Sequence, residues 1–223
     1  YCLFNCAMNK SIPQNHLCTV TLLGNLVTNP EIRYQANPVI AVAEFVIATH
    51  SQWLDKATNQ MKQWTSYHTV KMIGDVVERA LLHAQKGDIV IIQGHLVNSK
   101  KSGREIIHAT YAHTYPKGYT HSINQLQCSG TISSDVRLVT TESNKQLAEL
   151  TLTINYYAYS SVTKELRSVE VCRPLHIWGS QASYIKQHAT LGDEIIVDGK
   201  LSYLNNEEKS QFLDAKQGEL QKK

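Results

Sequence analysis

A chain of 223 residues, 42% hydrophobic and 18% charged, has an ordinary foldable composition and the length of one large domain or two small ones, which excludes a disordered or low-complexity protein. The net charge of +3 is only mildly basic, but it is unevenly placed: residues 1–117 hold 11 Lys and Arg against 7 Asp and Glu, and residues 118–223 hold 11 against 12. A polyanionic partner should therefore meet the first half.

The longest apolar stretches, such as "VIAVAEFVIA", are too short to cross a bilayer and are broken by charge, so no membrane partner is expected. "YCLFNCAMNK" has no basic start, long apolar run or small-residue cleavage site of a secretory leader. Five irregularly spaced cysteines fit reduced thiols, and the expected compartment is cytoplasmic.

Along the chain, "LCTVTLLGNLV" alternates apolar and polar residues as a half-buried strand does. "VIAVAEFVIAT" is a second strand and "SYHTVKMIG" a third. In "DVVERALLHAQKGD" the period becomes helical: Val76, Val77, Ala80, Leu81 and Ala84 share a face, with Asp75 as N-cap and Gly87 as the stop. "IVIIQGHLV" and, after a Lys-rich turn, "REIIHATYAH" are strands four and five.

The same order then recurs. "AEFVIA" (43–48) aligns with "AELTLT" (148–153) at an offset of 105. The frame also sets "HTVKMIG" (68–74) on "RPLHIWG" (173–179), and it superposes Gly74, Gly87 and Gly94 on Gly179, Gly192 and Gly199. The second set of elements is "LQCSGTI", "LAELTLTINYYAY", "VEVCRPLHIW", a helix near "SQASYIKQHATL", "EIIVDGKLSYL" and "QFLDAKQGEL". Three strands, one short helix and two strands, twice over, predict an all-β chain of two tandem OB-fold barrels. The domains are expected at 1–116 (barrel about 17–112) and 117–223 (barrel about 123–220).

In an OB-fold, oligonucleotides lie on the face of strands two and three and on the loops around it. The polar segment between those strands, "SQWLDKATNQMKQWTSYH" (51–68), carries Trp53, Trp64 and Tyr67 among Lys56 and Lys62, with Lys71 just beyond. Rings to stack on bases and cations to follow phosphates are what single-stranded nucleic acid requires. Lys100, Lys101 and Arg104 add a second basic cluster between strands four and five. Tyr67 could point either way by alternation, whereas Tyr34 and Phe45 read as packing residues. In the second copy Ala158 replaces Trp53 and Cys172 replaces Tyr67, but Trp178 replaces Ile73, and period two turns Tyr157 and Tyr159 to one face. The expected stacking set is Trp53, Trp64, Tyr67, Trp178, Tyr157 and Tyr159; the expected phosphate set is Lys56, Lys62, Lys71, Lys100, Lys101 and Arg104.

Other chemistry finds little support. Cys2, Cys6, His16 and Cys18 match no common zinc-ligand spacing, no phosphate-gripping loop is present, and no catalytic triad declares itself. The chain is expected to be no enzyme and to need no metal or cofactor.

"GNLVTNPEIRY" (24–34), "SQWLDKATNQMKQWTSYHTVKMIG" (51–74) and "AQKGDIVIIQGHL" (84–96) resemble segments of the bacterial single-stranded DNA-binding protein family. The resemblance covers roughly 17–112 and reaches the second copy through the first. It implies that Trp53 and Tyr67 fall on base-stacking tryptophans, and that the family's stacking phenylalanine falls on Ile73 and, in the second copy, Trp178. A further family tryptophan after strand four has no counterpart; Lys100 and Lys101 fill that loop, and Tyr203 is the nearest aromatic in copy two. It also implies a protein that coats single-stranded DNA in replication, recombination or repair, assembled as a homodimer with four OB domains. "KQGELQKK" lacks the acidic tip with which relatives recruit replication or recombination proteins. The alternative is an adaptor like the primosomal replication protein B relatives, bridging single-stranded DNA and a partner protein.

Overall fold

A computed structural model describes residues 15–100, 102–118 and 121–221. The first copy folds as β1 (Cys18–Leu26), β2 (Glu31–Gln35), β3 (Ile40–Asp55), β4 (Gln60–Ile73), α1 (Asp75–Leu81), β5 (Ile89–Asn98) and β6 (Glu105–Tyr115). The second repeats the order as β7 (Ile123–Ile132), β8 (Arg137–Thr140), β9 (Gln146–Ser160), β10 (Glu165–Trp178), α2 (Ser180–His188), β11 (Glu194–Tyr203) and β12 (Gln211–Gln221).

All twelve strands join in the order β2-β3-β4-β6-β5-β1-β7-β11-β12-β10-β9-β8. Pairing of β3 with β1, and of β9 with β7, closes each half into a barrel, and a short parallel ladder ties β4 to β6 and β10 to β12. These are the tandem OB-folds read from the sequence. The barrels share a seam: β1 and β7 pair antiparallel from Cys18↔Cys128 to Leu23↔Ile123. Inward residues of both halves, among them Val20, Leu22, Phe45, Ile92, Leu126, Leu152 and Leu213, form one buried cluster.

The repeated glycines have a steric cause. Gly94 of β5 faces a bulge in β6, where Thr110 is the extra residue, and a Cβ there would lie 2.2 Å from the His108 carbonyl oxygen. At Gly199 the bulge recurs, and a Cβ would lie 2.3 Å from the Asp214 carbonyl oxygen. Any side chain would push the two strands apart.

Three expectations need correction. The N-cap of α1 is Gly74, at φ 96, and not Asp75, which is the first helical residue. The Gly74 amide still donates to Ala41 O (2.8 Å), so the chain leaves the β4 ladder and turns in one step, a conformation that suits glycine. The helix stops at Leu81 and not at Gly87, because the Gln85 and Lys86 amides donate to the side chains of Asp88 (2.8 Å) and Asn29 (2.7 Å) in place of helical carbonyls. Tyr34 is exposed and gives its hydroxyl to Glu78 (2.6 Å), while Phe45 is in the core. Two short strands, β2 and β8, were also not anticipated; each pairs along β3 or β9 only.

Candidate nucleic-acid interface

Strands β3 and β4 run far beyond the barrel as a two-stranded arm, in register from Val42↔Ile73 to Asp55↔Gln60. The segment expected to be a polar connection is therefore mostly strand, closed by a turn at 56–59. Asp55 Oδ1 accepts the Ala57 amide (3.0 Å), and Asn59 adopts φ 52, the left-handed conformation that Asn tolerates best after Gly.

Register assigns the faces. Trp53 lies opposite Lys62 and Trp64 opposite Ser51, so both indoles share one side of the arm with Lys62 between them. Trp53 is 45% exposed and Trp64 58%. Lys62 is paired, its ammonium meeting Asp55 Oδ2 at 2.5 Å, so a phosphate would have to displace that carboxylate. That bond, reinforced by the Ala57 amide, lowers the Asp55 carboxyl to about 2. Lys56 is exposed in the turn.

Tyr67 lies opposite Ala48, on the other side of the ribbon, 57% exposed. Below it on that outward face are Thr69 and Lys71, the latter half-buried opposite Glu44. A hollow of about 510 Å³ opens over this face, lined by Val42, Val46 and Lys71 and rimmed by Arg33 from β2 and Arg104 from the β5–β6 loop. Glu44 binds Arg104 (2.9 Å) and Glu31 binds Arg33 (2.8 Å), so phosphates would have to exchange with carboxylates there. Exposed pairs of this kind hold weakly, typically by under about 1 kcal/mol, and yield to a polyanion. Lys100 is exposed on the same loop; Lys101 lies outside the described residues.

The hollow continues, through shared Arg104, into a cleft of about 650 Å³ that also touches Tyr67, Tyr203 and Lys209. That in turn adjoins an apolar cleft of about 320 Å³ between Trp64, Tyr67, Tyr203 and Leu204. Tyr67, Lys71 and Arg104 thus line adjoining hollows on one face of the ribbon, and Trp64, on the other face with Trp53, meets Tyr67 at the apolar cleft along the β4 edge.

In the second domain Tyr157 (opposite Ser168) and Tyr159 (opposite Leu166) share the outward face of β9–β10 with Cys172 and Trp178. Tyr156 points inward, and its hydroxyl donates to Leu96 O (2.5 Å) in the other domain. Trp178 is 40% exposed and donates its Nε1 proton to Asp214 (3.0 Å). It lies opposite Leu147, and ten residues of β9 separate Leu147 from Tyr157, roughly 33 Å of strand. The rings therefore occupy opposite ends of the face, with Glu149 and Glu170 between them.

Sequence reasoning did not single out Arg33 or Lys209 as groove residues, and it named Tyr203 only as the second copy's nearest aromatic to the family's loop tryptophan. Lys209 stands where the first repeat has Gly103, both at positive φ (50 and 67), so the repeat gave no signal for a cation there. The described residues contain no cluster of three or more metal-ligating side chains.

Residues 17–113 and again 123–218 match the single-strand binding protein family. The chain belongs to that family. Among solved structures, the single-stranded DNA binding protein from Thermus aquaticus is similar in fold over nearly its whole length: a deletion variant gives TM-score 0.77 at 20% identity, covering 94% of this chain and 96% of that one. The wild-type protein gives 0.75 at 19%, covering 94% and 95%. The protein PriB from Ralstonia solanacearum spans 44% of this chain and 97% of its own, at 20% identity and TM-score 0.38. As a family member with two matched units, this chain carries a tandem of single-strand binding domains.

Proposed function

We propose that the protein binds single-stranded DNA without regard to sequence, coating and protecting it in replication, recombination or repair. The observation that carries this reading is the set of exposed rings on adjoining hollows edged with cations: Tyr67 beside Lys71 and Arg104, with Trp64 meeting Tyr67 at the apolar cleft. Base faces stack on such rings whatever the base, at roughly 1–3 kcal/mol each, while Lys and Arg replace condensed counterions on the phosphates. In this reading Trp53, Trp64, Tyr67, Tyr157, Tyr159 and Trp178 receive bases, and Lys56, Lys62, Lys71, Lys100, Lys101 and Arg104 receive phosphates. The protein acts as a binder, not a catalyst.

The active form is a homodimer with four OB domains. In support, β6-β5-β1-β7-β11-β12 make one uninterrupted sheet across the seam, whose outward face exposes Tyr111, Tyr115, Ile123 and Ile196. Such a face suits a two-fold, self-complementary contact. The free thiols of Cys18, Cys128 and Cys172 suit a reducing, cytoplasmic setting. Among the described residues no helix is long and apolar enough to cross a membrane. Replication or recombination proteins are the partner class this role brings.

Fluorescence anisotropy of labelled oligo-dT, with duplex DNA and RNA of equal length as competitors, tests the reading. Tight binding that duplex DNA fails to displace, with affinity falling linearly on a log scale as salt rises, supports it. Feeble affinity for every oligonucleotide would sink it and favour an adaptor instead.

A further inference from the structure

The seam between the domains is itself a candidate site. The β4 strand pairs with β6 only from Val70 to Met72, so the edge of its outer half is left to the second domain. There His68 Nδ1 and the Tyr203 hydroxyl lie 2.9 Å apart, and His68 Nε2 lies 2.8 Å from Thr49 Oγ1. His68 is buried, so this is an internal tie between the halves, not a surface encounter. Behind it Gln211 Nε2 donates to Tyr203 (3.3 Å), Arg173 Nε donates to Gln211 (2.9 Å), and Arg173 also reaches Val97 O (3.1 Å). The β11–β12 loop is closed by Leu204 N→Ser210 O (2.9 Å) and Ser210 N→Asn206 Oδ1 (3.1 Å). The wall that the second domain offers to the first is therefore built before any ligand arrives.

We infer that this seam is a composite subsite for single-stranded DNA, in which one nucleobase enters the apolar cleft against Trp64, Tyr67, Tyr203 and Leu204 while its backbone runs between Arg104 and Lys209. The inference rests on the single-stranded DNA reading above and adds to it a defined crossing from one domain to the other. Charge sets the orientation. Arg104 of the first domain and Lys209 of the second both line the larger cleft; of its acidic members, Glu207 and Glu208 sit on the second domain's loop, and Glu105, at the start of β6, already accepts the Gln211 amide (2.6 Å). A phosphate is drawn to the cations and repelled by the loop, which leaves the uncharged base as the part that fills the 320 Å³ cleft. Tyr203 contributes its ring as a wall, since its hydroxyl is already spent on His68 and Gln211.

The test uses the full chain and an oligo-dT roughly 30 nucleotides long, about twice the most that one OB-fold covers. Photocrosslinking with 5-iodouracil at internal positions, read by mass spectrometry, should mark Trp64 or Tyr67 and also the 203–209 peptide. Lys209→Ala should weaken binding about five-fold and lower the slope of log K against log salt by about 0.7. Lys216→Ala, an exposed lysine on β12 away from the clefts, should change neither. Normal affinity with crosslinks confined to the first domain and an unchanged Lys209→Ala slope would overturn the seam subsite and leave the DNA-binding reading intact. Absence of any oligo-dT binding would remove both.

Discussion

The two domains share a fold but not a surface. Inward positions, the bulge glycines and the strand ladders recur at an offset of 105 in the middle strands and 106 in the first two and the last. On the outward face Arg33, Lys71 and Tyr67 of the first domain become Val139, His176 and Cys172 of the second, while Arg104 becomes Ser210, next to the Lys209 that turns into the seam. The arms differ as well. The β9–β10 turn reaches back to the first domain, where Ser161 Oγ donates to Ile73 O (3.5 Å), and a Cβ on Gly74 would meet it at 3.3 Å. At Gly179, the equivalent of Gly74, nothing lies within 4 Å. Duplication lets one copy keep a cationic, aromatic face while the other becomes wall and brace, because the residues that specify the barrel point inward and those that bind point outward.

The comparison can be broken first at the rings. Trp53→Ala with Trp64→Ala should cost at least about 2 kcal/mol of oligo-dT affinity, roughly 30-fold, with the melting temperature hardly changed because both indoles are exposed. If the double variant binds as tightly as the parent, the first-domain assignment fails.

Acid should separate the halves next. Burial lowers His68 and His95 from the ordinary 6.5 to about 4, with neighbouring His108 adding to the effect on His95. Folded values below the unfolded ones mean that the unfolded chain takes up protons first. The stability these rings carry is full above pH 6.5 and is lost as pH falls towards 4, on the order of 3 kcal/mol per ring. Their equivalents at the repeat offset are Arg173 and Lys200 in place of histidines, and His176 on β10, which burial also lowers, is more exposed than His68. Amide exchange at about pH 5 should therefore show β4 and β5 losing protection before β10 and β11; uniform loss would contradict this.

A smaller difference is expected at Trp178→Ala, about five-fold weaker binding. This indole is tied to Asp214 and stands roughly 33 Å along the strand from the tyrosine pair, so a loss equal to that of the Trp53 and Trp64 pair would mean the second face matters as much as the first. Smallest is Glu207→Gln with Glu208→Gln, which should tighten binding two- to three-fold at low salt and not at all at high salt, as removal of exposed like charge does. A weakened complex would show that these carboxylates help to hold the DNA.

Much of this was legible in the residues. Period-two alternation and the repeat revealed the barrels, and put Tyr157 and Tyr159 on one face, because a strand has only two sides. The extent of the arm was less visible: polar, exposed strands such as "SQWLD" and "QMKQW" carry no burial pattern to announce them. Tyr34 misled for the reverse reason, since an aromatic on an edge strand can satisfy its hydroxyl with Glu78 and stay in water. The seam left no local mark, because β1 and β7 alternate the same way whether or not they face each other, and Lys209 acquires its place only when two domains meet.

Tryptophan emission during oligo-dT titration of a Trp178→Phe variant tests the central claim most directly, since the chain has three tryptophans and only Trp53 and Trp64 then report. Stacking predicts saturable quenching whose midpoint moves to higher DNA concentration as salt is raised. Binding seen by anisotropy with the emission of both indoles unchanged would contradict it.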